Sequence, residues 1–524
     1  MTMIPRHASP ILLLLLSCGL PAAETVIRPE IIPVEEGSIQ NAGSGTEIWR
    51  GGPGNGESRL VKYAVRVSDY SVNSMIRISW CDHETKEGEY LFAKLDEHFE
   101  HCIRYGQKLD IGCFVTSGNH GLKIDDGLCA YPAYVHEALQ NSDQKDVKYT
   151  SSRGSITRWE PNFENDYFFE RYDAILAAFA EYLEGSLTIE EKTVQRKKLV
   201  RHIEMRHFGW WGEGAYPKQL VPSNSEYLIR FADAFARHFP DIRLLAPTNG
   251  MVYIPATYGT IKDYHFHLLA VRNNVGLFGI FRDNWGWDEN LGYVQALFYD
   301  SNKFEKDGVN LYELIRDRWK SAPLTGEPLQ ALPKEGFRPY SHLLDQVTYL
   351  HPVVIRNCNV SNGRKSYINP TGYNVFEDPQ AIADFHRMYA LIGFRYLFTA
   401  ARIVRQDTDL AISVDWLNIG LTPTYDRWQI RYVIKDDAGK EIWTGNSTLD
   451  LRTVFPDENT PPGVVNTDVA TTHIDRFSNV PKSGTLALQI VDPDGISPAM
   501  ALSIKGRTED GTYLLAQPTE KGAP

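Results

Sequence analysis

The chain predicts an α/β fold: a (β/α)8 TIM barrel over about residues 60–395, followed by a C-terminal antiparallel β-sandwich over 396–524. Three observations predict it. From about residue 60, short apolar runs alternate with amphipathic stretches, as strand–helix units around a parallel sheet do. After about residue 396 helical spacing stops, and short runs alternate at period two between turn residues. Finally, 524 residues exceed one ordinary domain but suit one barrel plus a smaller partner.

The elements follow in order. Residues 24–59 read as a lead-in. Met75–Trp80 is the first clear strand, followed by a helix over Tyr90–Tyr105 with Leu91, Leu95, Phe99 and Cys102 at helical spacing. Leu109–Val115 is the next strand. A strong helix runs from Tyr167 to Leu183, with Phe169, Tyr172, Ile175, Leu176, Phe179 and Leu183 on one face. Leu199–Phe208 is a strand, and Ser225–Phe239 a helix opened by a Ser that can cap it. Ile242–Ala246, Val275–Phe281, Ala322–Thr325 and Pro352–Ile355 are further strands, with helices over Val309–Trp319 and Ile382–Leu391. This names seven of the eight strands. The later period-two runs are Leu410–Trp416, Trp428–Ile434, Thr485–Val491 and Ala499–Ile504, with a polar loop over Phe455–Val464.

Residues 1–23 resemble an export signal. Arg6 and His7 precede an apolar stretch from Ile11 to Leu16, and Pro21-Ala22-Ala23 supplies a small-residue exit. The stretch is far short of the roughly 20 residues a membrane span needs. Secretion or a periplasmic location in a bacterium is expected. Leu15-Leu16-Ser17-Cys18 also resembles a lipobox, which would leave a lipid anchor on Cys18. Of the other cysteines, Cys81, Cys102, Cys113, Cys129 and Cys358, none has metal-type spacing, and one bridge such as Cys113–Cys129 is conceivable.

A formal net charge of −12 argues against nucleic acid or an anionic membrane as the main partner. The basic run Lys192–Arg201 reads as a solvated helix end. Aromatic content of 12%, with 11 Trp and 27 Tyr, suits a carbohydrate partner, because the apolar face of a sugar ring packs on an aromatic face. A large core accounts for the same composition.

In such a barrel the active site lies at the C-terminal ends of the strands. Two carboxylates fall there. Glu213 closes His207-Phe-Gly-Trp-Trp-Gly-Glu213, past the expected fourth strand. Glu327 lies in Leu324-Thr-Gly-Glu-Pro328, past the seventh. A Glu beside Gly after a buried strand is poorly placed for packing, and Glu is rarely buried unless paired or functional. Two such groups about 5–5.5 Å apart can act as acid/base and nucleophile in a retaining glycosidase. The competing reading is that each pairs with a local Arg at the barrel rim. Substrate contacts are expected from Trp80, His207, Trp210, Trp211, Tyr216, Arg282, Asp283 and Trp285. Glu204, inside the fourth strand, reads as a buried paired residue and a reserve acid. Tyr264-His-Phe-His267 lacks a third ligand, so no metal centre is expected. With no P-loop, HExxH or G-x-S-x-G motif, no cofactor is expected.

Ile76-Arg-Ile-Ser-Trp80, Glu84, Glu87-Gly-Glu-Tyr90 and Leu95-Asp96 resemble the opening of clan A glycoside hydrolases, such as the family 42 β-galactosidases. Gly209-Trp-Trp-Gly-Glu-Gly214 resembles the G-x-WGEW block of a largely uncharacterised group of bacterial barrels. Gly420–Tyr425 and Gly506–Tyr513 resemble turns of that group's C-terminal sandwich. The resemblance implies Glu213 as acid/base and Glu327 as nucleophile. Clan A normally has Asn just before the acid/base, where this chain has Gly212, and the opening lacks its first Pro. Two other readings compete. One is a non-catalytic carbohydrate-binding surface protein on the same barrel, and the other a different hydrolase or lyase. The sandwich is expected to brace the barrel.

Overall fold

The run Leu-Asp-Ile-Gly-Cys-Phe-Val forms a strand in which every residue is buried, as strands of a parallel sheet covered on both faces must be. The computed structural model describes residues 24–37, 39, 41–49, 73–150, 156–213, 220, 222–223, 226–247, 278–285, 305–306, 309–310, 316–328, 339–356 and 378–516. Its central element is a curled parallel sheet of eight strands. In chain order these are β1 (Gly45–Trp49), β2 (Asn73–Ser79), β3 (Leu109–Val115), β4 (Val200–Met205), β5 (Arg243–Pro247), β6 (Phe278–Trp285), β7 (Leu324–Pro328) and β8 (Val354–Arg356). Each pairs in parallel with its chain-order neighbour as far as β7, and β8 pairs with β1. The remaining two edges meet where the Val353 N–H donates to the Leu324 carbonyl at 2.8 Å.

Helices cover this sheet. Asp96–Tyr105 follows β2 and stops on Gly106, whose φ of 64° is the left-handed C-cap that glycine adopts without strain. Asp166–Glu184 follows β3, capped by the Asn165 side chain, and buries Phe168, Tyr172, Ile175, Leu176, Phe179 and Leu183. Glu226–His238, Pro339–Leu350 and Pro379–Leu391 follow β4, β7 and β8. No helix among the described residues is long and apolar enough to cross a membrane.

Beyond residue 395 the period-two runs form two four-stranded antiparallel sheets. One orders Glu24–Ile27, Tyr396–Gln406, Asp409–Asn418 and Thr471–Phe477; the other orders Glu441–Asn446, Gln429–Lys435, Thr485–Val491 and Tyr513–Ala516. Ile412, Val414 and Trp416 of the first and Ile430, Tyr432 and Leu488 of the second share one core cluster. That cluster continues into Met388 and Leu391 of the last helix.

Several sequence expectations need correction. The stretch expected as a lead-in holds strands Glu24–Ile27 and β1. The helix expected over Val309–Trp319 has a strand residue pair, Val309–Asn310, at its start and a 3-10 turn at Arg318–Lys320. Ala499–Ile504 forms only an isolated bridge at Ile504, because Leu502 and Ser503 bond to Tyr513 and Tyr396 instead. The basic run divides among strand Lys192–Gln195, helical turn Arg196–Leu199 and β4, where Arg201 is buried. Cys113 and Cys129 are buried free thiols, not a bridge.

Candidate active site

Residues that end parallel strands share one mouth, so side chains far apart in sequence meet there. Arg77 sits mid-strand in β2 between Ile76 and Ile78. Its Nη2 donates to Glu327 Oε1 at 2.7 Å and lies 3.1 Å from Glu213 Oε1. Two oxygens on one nitrogen lie at most about 6 Å apart, a bound that includes the roughly 5–5.5 Å of a retaining carboxylate pair. Glu213 and Glu327 are 8% and 6% exposed, so both are screened from bulk water.

Among the described residues, two more guanidiniums approach the pair. Arg206, just past β4, places Nη1 3.4 Å from Glu213 Oε1 and Nη2 3.7 Å from Glu327 Oε1. Arg356, ending β8, donates from Nη1 to Glu327 Oε1 at 3.1 Å. Among the described residues Glu327 therefore faces three arginines and Glu213 two. Burial is the main cause that pushes the Glu213 carboxyl above its ordinary value; the Glu327 charge adds to it, and Arg77 and Arg206 oppose it. Beneath the pair, Arg356 Nε donates to Glu47 Oε2 of β1 at 3.2 Å. Burial and the neighbouring Asp110 carboxyl push Glu47 well above the carboxylate range. Asp110 in turn meets His202 Nδ1 at 2.9 Å.

Glu213 is carried by an unusual turn. Gly209, Trp211 and Gly212 have φ of 81°, 55° and 68°, so three of four consecutive residues are left-handed. The Trp211 N–H donates to Ser117 O at 2.7 Å. The Arg158 guanidinium lies 4.9 Å from the Trp210 ring centre and 5.4 Å from that of Trp211. Arg158 also donates to Gly118 O and Asn119 Oδ1 at 2.9 and 2.6 Å. The turn is thus fastened to the loop after β3. A Cβ on Gly212 would lie 2.3 Å from Arg206 Cβ and 2.4 Å from Arg206 O. A side chain there would have to displace Arg206.

The other expected contacts divide. Trp211 borders an open cleft of about 760 Å³ together with Arg77, Ser79, Asp82, Asn119 and His120. Trp210 is half-buried, its Nε1 donating to Glu160 at 2.9 Å. Trp80 is not at the mouth: it is buried, donates to Glu84 Oε2 at 2.8 Å and meets Phe168 and Tyr172 edge to face. His207 is likewise a core residue, stacked on Phe231 with ring centres 5.0 Å apart. Burial lowers its pKa to about 3, so it is neutral at ordinary pH. Both aromatics follow strands, but they turn to the helix side of the sheet. Arg282 is buried in β6. For Asp283 and Trp285 only the strand backbone is described, and Tyr216 and the Tyr264–His267 segment lie outside the described residues. The sequence reading missed Arg77, Arg206, Arg356 and Glu47. The available signal was a charged residue inside or directly ending a buried strand, which must find a partner.

No protein-family model and no curated protein matches the chain. Among solved structures it is similar to an endogalactoceramidase, at 11% identity over 82% of this chain and 98% of that one, with a TM-score of 0.36. It is also similar to an exo-β-1,4-mannosidase from Opitutaceae bacterium strain TAV5, at 11% identity over 69% and 63%, TM-score 0.33. A third similarity is to an endo-β-1,4-xylanase from Gloeophyllum trabeum, at 10% over 66% and 96%, TM-score 0.32. These neighbours are glycoside hydrolases. At such identities and TM-scores the likeness carries no weight for this chain's chemistry, which rests on its own residues.

Proposed function

We propose that the chain is a retaining glycoside hydrolase acting on a polysaccharide or oligosaccharide. Glu213 serves as acid/base and Glu327 as nucleophile, on a complete (β/α)8 barrel braced by a C-terminal β-sandwich. The single observation that carries this reading is the meeting of both carboxylates on one nitrogen of Arg77. Glu213, which burial keeps protonated to higher pH, gives its proton to the leaving oxygen as the glycosidic bond breaks. Glu327, ringed by three cations, attacks the anomeric carbon as a carboxylate and forms a glycosyl ester. Glu213, now ionised, then takes a proton from water, whose oxygen displaces Glu327. Trp211 offers a ring at the cleft for a sugar face. Export through residues 1–23 to the periplasm or medium, with Cys18 as the alternative lipid site, completes the proposal.

The test is a panel of aryl glycosides and polysaccharides, with product anomers followed by proton NMR. Glu213→Gln and Glu327→Gln should each lower kcat by about 1000-fold or more, and the first-formed anomer should match the substrate. Turnover unchanged in both variants, or an inverted product, would sink the assignment. Oligosaccharide binding with no turnover would favour a purely carbohydrate-binding role.

A further inference from the structure

Below the carboxylate pair lies Glu204 on β4, 1% exposed. Its two oxygens hold different cations. Oε2 accepts from Arg206 Nε at 2.6 Å, and Oε1 pairs with Arg356 Nη2. Each guanidinium then reaches the pair above: Arg206 lies 3.4 Å from Glu213 and 3.7 Å from Glu327, and Arg356 lies 3.1 Å from Glu327. The Phe281 ring supports both, with guanidinium carbons 4.2 and 4.6 Å from its centre. Space for this cluster is reserved by Gly112 in β3. A Cβ there would lie 2.9 Å from Arg206 Cδ and Nε and 3.3 Å from Glu204 Oε2.

A buried carboxylate between two arginines can simply neutralise them. The connectivity goes further, because the two guanidiniums between them also reach the two carboxylates proposed to react, Arg206 donating to Trp211 O at 3.0 Å as well. We propose that Glu204 is a positioning residue, fixing Arg206 and Arg356 as one rigid cationic cradle and drawing part of their charge away from Glu213 and Glu327. Its role in a reaction rests on the glycosidase reading, while its effect on Glu213 does not. The charged groups involved come from six strands of the sheet or their ends: Arg77 of β2, Arg206 past β4, Glu327 of β7, Arg356 of β8, Glu47 of β1 and, beside Glu47, Asp110 of β3.

Glu204→Gln keeps the shape and removes the charge. The loss of one anion and the release of two cations both favour ionised Glu213. The alkaline limb of kcat/KM should therefore move to lower pH by about one unit, and kcat should fall about tenfold or more with KM within about twofold. Gly112→Ala, which pushes Arg206 off Glu204 without altering any charged residue, should move the limb the same way and carries the test if the Gln variant does not fold. Carbon NMR of glutamate-labelled protein, with the Glu213 signal assigned by its loss in Glu213→Gln, follows the same titration without any substrate. A folded variant in which Glu213 titrates as in the wild type overturns the proposal, whether or not glycosides are cleaved. A shifted titration in a protein that cleaves no glycoside supports the cradle and counts against the hydrolase reading alone.

Discussion

Gly212 shows how much one backbone position can decide. Its φ of 68° and the 2.3 Å approach of a would-be Cβ to Arg206 leave room for hydrogen only. Gly212→Asn would force apart the turn bearing Glu213 and the arginine beside it. We expect a loss of about 2 kcal/mol in unfolding free energy, and kcat at least about tenfold lower through misplacement of Glu213, the proposed acid. Denaturant titration and steady-state kinetics measure the two effects. A variant with wild-type stability would mean that the turn relaxes freely. At this scale the sequence marks Glu213 and Glu327 as candidates, because a Glu beside Gly after a buried strand has few structural reasons to be there. It misled at Trp80 and His207. An aromatic after a strand suits either the mouth or the helix layer, and only packing against Phe168 and Phe231 decides between them.

Elements were legible where one face alone is apolar or a strand is buried on both. β3 and the strand Thr485–Val491 have the bounds expected from their sequence. β1 escaped notice because Gly-Thr-Glu-Ile-Trp has neither an apolar run nor clean alternation. Its Glu47 is inside the sheet, bonded to Arg356, so the polar residue that hides the strand is the one that joins it to the site. The helix Asp166–Glu184 offers a test at the same scale. Asn165 Oδ1 accepts from the Phe168 N–H at 3.0 Å, and its Nδ2 donates to Ser142 Oγ at 3.1 Å. Asn165→Ala should cost about 1 kcal/mol or more. Asn165→Asp, which retains the cap acceptor and loses the donor, should recover part of it. Equal losses in both variants, measured by thermal unfolding, would show that the Nδ2 contacts to Ser142 and Gln144, and not the cap, hold this end.

For the whole molecule, the question is whether the curled parallel sheet and the two antiparallel sheets unfold as one. Arg395, 2% exposed, stands where the chain passes from one to the other. Its guanidinium donates to Ser503 Oγ and Gly37 O at 2.9 Å and to Pro33 O at 3.1 Å. One residue thereby ties the N-terminal segment to the C-terminal region. Tyr425 OH donates to Trp319 O at 2.5 Å, and a single apolar cluster runs from the helix Pro339–Leu350 through both antiparallel sheets. Interfaces that continue a core favour one cooperative transition over two. Arg395→Met keeps much of the volume and leaves several buried carbonyls without their donor, which should cost about 3 kcal/mol. Far-UV circular dichroism reports all the sheets, whereas the difference in tryptophan fluorescence between the protein and its Trp211→Phe variant reports the mouth of the parallel sheet. In the wild type the two denaturation curves should coincide, and in Arg395→Met both should shift together to lower denaturant. Curves that separate in the variant would show instead that the C-terminal region detaches first, leaving the carboxylate pair on a sheet able to stand alone.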